Sequence, residues 1–160
     1  MLVSYVNSEV LIRYPLFKSF SMMETLINTG YYDVNIPLDE IESVDMSYTN
    51  VRSFESNTFQ NIHNLRFIDF PETLEVIPKR VFANYQYLDS LILPLNLREI
   101  GSYAFAGCTS LISVTIPNNV SIIGERAFDN LEFIIVDLEK KPAGWHDNWT
   151  GNTKRIHWKK

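Results

Sequence analysis

The chain has one cysteine, Cys108, among its 160 residues. A single thiol excludes an internal disulfide framework and every zinc or iron–sulfur centre built on several cysteine ligands, and it leaves the redox compartment open. Histidine is almost as scarce: His63, His146 and His157 are isolated. His146 and Asp147 with His157 are the one combination that approaches a metal set, but adjacent side chains diverge, so no metal is assigned. There is no run of eighteen uncharged apolar residues, and the first thirty residues lack the basic, apolar, small-residue order of a secretory signal. Neither membrane insertion nor an export leader is expected. Positive charge is outnumbered, with 14 Lys and Arg against 19 Asp and Glu, a net charge of -5. That balance argues against a phosphate-neutralising nucleic-acid surface. No G-x-G-x-x-G, P-loop, G-x-S-x-G or H-E-x-x-H spacing occurs, so no motif supports a nucleotide site, a cofactor site, a hydrolase elbow or a zincin, and the chain reads as non-enzymatic.

What the sequence does have is a repeat. Leu88, Leu91, Leu93, Pro94, Leu97, Ile100, Ala104 and Phe105 map by a shift of 23 onto Leu111, Val114, Ile116, Pro117, Val120, Ile123, Ala127 and Phe128. The same shift in the other direction reaches Leu65, Ile68, Phe70, Pro71, Leu74, Ile77, Val81 and Phe82. One residue longer, the unit continues upstream as Ile41, Val44, Met46, Val51, Phe54, Thr58 and Phe59. Downstream, Leu131, Ile134 and Val136 open a fifth copy that is expected to stop after its strand, giving four units and a terminal strand.

Within each unit, apolar residues one, four and six alternate over a short strand that the following Pro ends. A second extended piece follows, as in Leu97–Ile100, and then Gly-x-x-Ala-Phe, which suits a single helical or 3₁₀ turn. The apolar side chains of one unit cannot offset the entropy of ordering its 23 residues, so a lone unit cannot fold. Neighbours must share their apolar rows. The expectation is an α/β solenoid, a right-handed coil of about four 23-residue repeats with a parallel sheet on one face.

Leu-x-x-Val-x-Ile-Pro-x-x-Val-x-x-Ile-Gly-x-x-Ala-Phe at positions 111–128 resembles BspA-type leucine-rich repeats. The resemblance covers about residues 41–136, and Lys141–Trp149, ending near Trp158, is similar to the segment that closes many such bacterial arrays. What it implies is a recognition scaffold, found in bacterial cell-surface or host-contact proteins, with no particular ligand. A structural, self-associating repeat segment of a longer surface protein or adhesin is the alternative. The chain itself leaves its location open.

The organisation reads as an N-terminal cap over 1–30, repeats over 31–136 and a Trp-rich C-terminal cap over 137–160. In the first part, Val3, Tyr5, Val10, Ile12 and Tyr14 flank a polar Asn7-Ser8-Glu9 break, which permits a hairpin, and Pro15 to Gly30 bounds an amphipathic helix through Leu16, Phe20, Met23 and Ile27. A start at Ser21 with Glu24 would shorten that helix. Val34-x-Ile36-Pro37 has the strand signature, but Ile41 follows too soon for a full unit. At the other end all three Trp, Trp145, Trp149 and Trp158, lie in the last sixteen residues and with Ile156 can lid the last strand.

Cys108 aligns with Tyr85 behind Phe105 and reads as an inert buried thiol. Two N-x-S/T triplets, at Asn119 and Asn148, carry no weight, since Val120 is a core position. Acidic residues crowd 31–60 and basic ones the tail, which reads chiefly as solvated surface. Strand residues between ladder positions point away from the core. Two outward rows result: Ser43, Phe67, Ser90, Ser113 and Phe133, then Asp45, Asp69, Ile92, Thr115 and Ile135. At about 4.8 Å per strand each row spans roughly 20 Å, enough for a protein contact. Phe67, Asp69, Ile92, Thr115, Phe133 and Ile135 are the candidate partner-binding residues, because nothing in the core requires the apolar ones.

Overall fold

The computed structural model describes residues 2–3, 11–13, 41–47 and 50–159. Eleven strands are found among them: β1 (Leu2–Val3), β2 (Leu11–Arg13), β3 (Ser43–Asp45), β4 (Phe67–Asp69), β5 (Val76–Ile77), β6 (Ser90–Leu91), β7 (Glu99–Ile100), β8 (Ser113–Ile116), β9 (Ile122–Ile123), β10 (Phe133–Val136) and β11 (Arg155–Trp158). β1 pairs antiparallel with β2, and β2 antiparallel with β3. The expected helix between Pro15 and Gly30 and the segment 31–40 lie outside the described residues.

From Ile41 the chain winds as a coil. Its first side carries β3, β4 and β6, then β8, β10 and β11, all parallel within each group, and its second side carries β5, β7 and β9, also parallel. The register is that of the sequence repeat: Val44 faces Ile68 and Ile68 faces Leu91, while Val114 faces Ile134 and Ile134 faces Ile156. The alternation is visible in burial, with Ile68 enclosed between exposed Phe67 and Asp69.

The core is a set of columns. Phe59, Phe82, Phe105 and Phe128 are fully enclosed and stack face to face, with centroids 5.2, 5.4 and 5.5 Å apart and planes within 22°, 9° and 12°. Trp149 then meets Phe128 edge-on at 6.1 Å. Burying a phenyl ring contributes about 2–3 kcal/mol, and stacked pairs add about 1 kcal/mol more.

The structure corrects the α/β description, because no helix occurs among the described residues. The reason lies in the Gly-x-x-Ala-Phe segment. Its third residue is left-handed in three successive units, Arg80 at φ 57°, Tyr103 at 59° and Arg126 at 48°, and a left-handed residue ends any right-handed helical turn. Alternate N–H groups are donated outward: Arg80, Phe82 and Asn84 bond the carbonyls of Ser102, Ala104 and Ala106, and Tyr103, Phe105 and Gly107 those of Glu125, Ala127 and Asp129, while Ala83, Ala104 and Ala106 bond the carbonyls three residues back. The turn side is therefore a third hydrogen-bonded ladder.

The count of four units also changes. Among the described residues the coil makes about five turns, because the copy begun at Leu131 is completed. Trp145 bridges Ile123 in parallel, the N–H of Phe128 donates to the carbonyl of Trp149, and β11 adds a further parallel strand beside β10. Trp145 and Trp149 occupy the places that Ile and Phe hold in earlier units, and both are buried.

Gly124 shows why the unit has glycine after its isoleucine. A Cβ there would lie 2.3 Å from the backbone nitrogen of Ser102 in the turn above, closer than any side-chain carbon can approach.

Candidate functional site

The first side of the coil presents the outward rows, and the structure places the six candidate residues in two blocks. Phe67 and Asp69 stand on β4, which pairs with β3 and β6. Phe67 is 44% exposed and Ile92, just beyond the end of β6, is 77% exposed. Thr115 on β8 lies beside Ile135 on β10, and Ser113 beside Phe133. Thr115 is exposed, whereas Phe133 and Ile135 are half-buried, the Phe133 ring lying 6.5 Å from that of His157. Between β6 and β8 the ladder is interrupted, and the two strands belong to separate sheets. Ile92 and Thr115, one repeat apart, therefore stand on either side of a seam, with exposed Leu95 and Ile112 nearby in sequence.

The charges on this side are largely tied between turns. The guanidinium of Arg66 lies over the Phe67 ring at 5.6 Å and bonds Asp89 one turn on, at 2.8 Å. On the second side Arg52 pairs with Glu75 across the same interval. Lys154 bonds Glu132 at 2.9 Å and Lys159 bonds Asp137 at 2.7 Å, so the basic tail is answered by the preceding turn. The Lys154 hydrogen bond, with its charge, holds the Glu132 carboxyl below the usual carboxylate range. Asp45 and Asp69 are neighbours in the ladder, and Asp45 accepts from the N–H and hydroxyl of Ser47 at 2.9 and 2.6 Å.

Inside, a device that pattern reading missed recurs at three of the turns. The hydroxyl of Tyr85 donates to the carbonyl of Phe59, the thiol of Cys108 to that of Phe82 at 3.1 Å, and the hydroxyl of Thr153 to that of Phe128 at 2.6 Å. At the second corner the amides of Asn96 and Asn119 donate to the carbonyls of Glu72 and Leu95 at 2.7 and 2.8 Å. No pattern announced it, because that phase of the repeat holds Ile62, Tyr85, Cys108 and Leu131 in succession. Burial pushes the Cys108 thiol up to about 12 and raises the Tyr85 phenol. A thiol so enclosed is no nucleophile.

Among the described residues no three His, Cys, Asp or Glu side chains gather as metal ligands. His146 accepts at Nδ1 from the N–H of Asn148 at 3.1 Å. Among the same residues no helix is long and apolar enough to cross a membrane.

Comparison with known proteins agrees with the architecture. The chain superposes on a leucine-rich repeat protein from Bacteroides ovatus with a TM-score of 0.61 and 22% identity, covering 97% of this chain and 45% of that one. It superposes on a leucine-rich repeat protein from T. pallidum with a TM-score of 0.59 and 24% identity, covering 74% of this chain and 57% of that one. It thus spans about half the length of either neighbour. No curated protein sequence matches it. A family model for the BspA type leucine rich repeat region matches residues 17–146 in six copies. With that match over most of its length and a coil whose turns repeat the same columns, the chain belongs to the BspA-type leucine-rich repeat family.

Proposed function

We propose that the chain is a non-enzymatic protein-recognition scaffold that engages a protein partner through the outward rows of its first side, with Phe67, Asp69, Ile92, Thr115, Phe133 and Ile135 as contacts. Membership of a repeat family whose members serve as interaction scaffolds supports the reading. The observation that carries it is Ile92, 77% exposed beside enclosed Leu91 and Leu93: an apolar side chain of that size in water, next to Phe67 and an acid, is what recognition surfaces use and core packing does not need.

The test uses peptides selected by display against the wild-type chain. The double substitution Phe67→Ala with Ile92→Ala should weaken the selected peptides at least ten-fold with little change in melting temperature, because neither ring nor methyls fill the core. Peptides that bind the double variant as well as the wild type would move the contact surface elsewhere. Exposed Ile92, Leu95 and Ile112 also suit contact between copies of a self-associating segment. Light scattering across protein and salt concentrations separates the two: a strictly monomeric chain removes self-association.

A further inference from the structure

The third side of the coil carries a feature that the recognition reading does not use. The turn-side ladder joins the second turn to the third and the third to the fourth. Between the first and second, two of its bonds are not made: Asn57 and Phe59, counterparts of Arg80 and Phe82, donate to no carbonyl of the next turn. The Tyr85 side chain crosses there, its hydroxyl on the carbonyl of Phe59. A groove of about 450 Å³ opens at this gap, over a floor that includes Val81 and Ala83. That is the size range of small-ligand sites.

The chemistry of the walls is selective. Gln60, His63, Arg80, Asn84, Gln86 and Tyr87 line the groove, and in a chain of net charge -5 no Asp or Glu does. Arg80 is its single permanent cation. The guanidinium lies over the Tyr103 ring at 5.1 Å, and among the described residues it pairs with no carboxylate. Its planar fork matches one carboxylate in bidentate fashion. The three amides both donate and accept, as neighbouring hydroxyls on a ring require. Tyr87 is 55% exposed, and its ring offers a flat apolar face to the C–H side of a sugar. A phosphate dianion would leave one of its two charges unanswered by a single guanidinium, and an apolar ligand would leave the amides unpaired.

We infer that this groove binds a carboxylated sugar ring of the hexuronate class, with the carboxylate on Arg80, ring hydroxyls on Gln60 and Gln86, and the ring face on Tyr87. The site stands apart from the outward rows, so it survives or fails independently of them.

The experiment titrates the ¹⁵N-labelled chain with D-glucuronate, D-glucose and acetate and follows amide shifts. Glucuronate should move the amides of Gln60, His63 and Gln86, with glucose and acetate each at least ten-fold weaker. Arg80→Gln should weaken glucuronate at least ten-fold, and Tyr87→Ala, at an exposed position, should weaken it several-fold while melting as the wild type does. Acetate as effective as glucuronate would reduce the groove to a bare anion contact and overturn the inference. Shifts that are absent, or scattered away from the groove, would overturn it as well.

Discussion

The thiol of Cys108 donates to the carbonyl oxygen of Phe82, one full turn back along the coil, at 3.1 Å. Both residues are enclosed, Cys108 at 1% exposure and Phe82 at 0%. The thiol is thus a stitch between turns, and its burial, which raises its pKa to about 12, removes the thiolate that alkylation requires. A thiol-specific reagent at pH 8 should leave the native chain unlabelled over hours and label it stoichiometrically in denaturant. Rapid labelling under native conditions would show that the third turn opens readily.

The phenylalanine column makes a second prediction. Phe105 stacks on Phe82 and on Phe128, so Phe105→Ala leaves a cavity bounded by two turns. It should cost about 3–5 kcal/mol in denaturant unfolding, whereas Phe67→Ala at the outward row should stay within about 0.5 kcal/mol. Equal costs would mean that the inside and outside of β4 have been misassigned.

Gly124→Ala should destabilise by about 2–3 kcal/mol, because the new methyl meets the backbone of Ser102, which cannot swing away as its hydroxyl can. Gly101→Ala, where the Cβ would lie 2.4 Å from the nitrogen of Lys79, should behave alike. Urea midpoints check both, and neutral outcomes would show that the turns can slide apart.

Acid should loosen the last turn. The Glu132 carboxyl sits below its ordinary range in the folded chain because of Lys154, so the unfolded chain binds its proton first as pH falls. The stabilisation is present above the ordinary carboxylate pKa and is lost as pH drops through the lower folded value. Asp147, lowered by Lys141, acts in the same direction. Glu132→Gln should therefore flatten the acid limb of a melting-temperature profile while changing little at high salt, where exposed pairs are screened.

The columns were legible because each demands one kind of side chain at one phase: Phe82, Phe105 and Phe128 fall 23 apart and stack as that spacing requires. The fifth turn was hidden, because Trp145 and Trp149 replace the expected Ile and Phe and the spacing shortens, Phe133 facing Arg155 only 22 residues on. The left-handed turns were hidden for another reason. Arg80, Tyr103 and Arg126 adopt a conformation that glycine usually advertises, so residue type gave no warning. The outward rows followed from strand alternation, but the seam between β6 and β8 did not, since Leu91 and Val114 fit the repeat equally well on either side of it. The groove beside Arg80 lies where Asn57 and Phe59 make no bond to the second turn, which no residue pattern announces.

That seam has a mechanical consequence. The third and fourth turns are pinned along β7 and β9 and along the bonds from Tyr103, Phe105 and Gly107, yet no strand pairing closes the side that displays Ile92 and Thr115. Two edges fastened and one free is the construction of a book on its spine. Amide exchange should therefore be faster along that open edge than along β7 and β9.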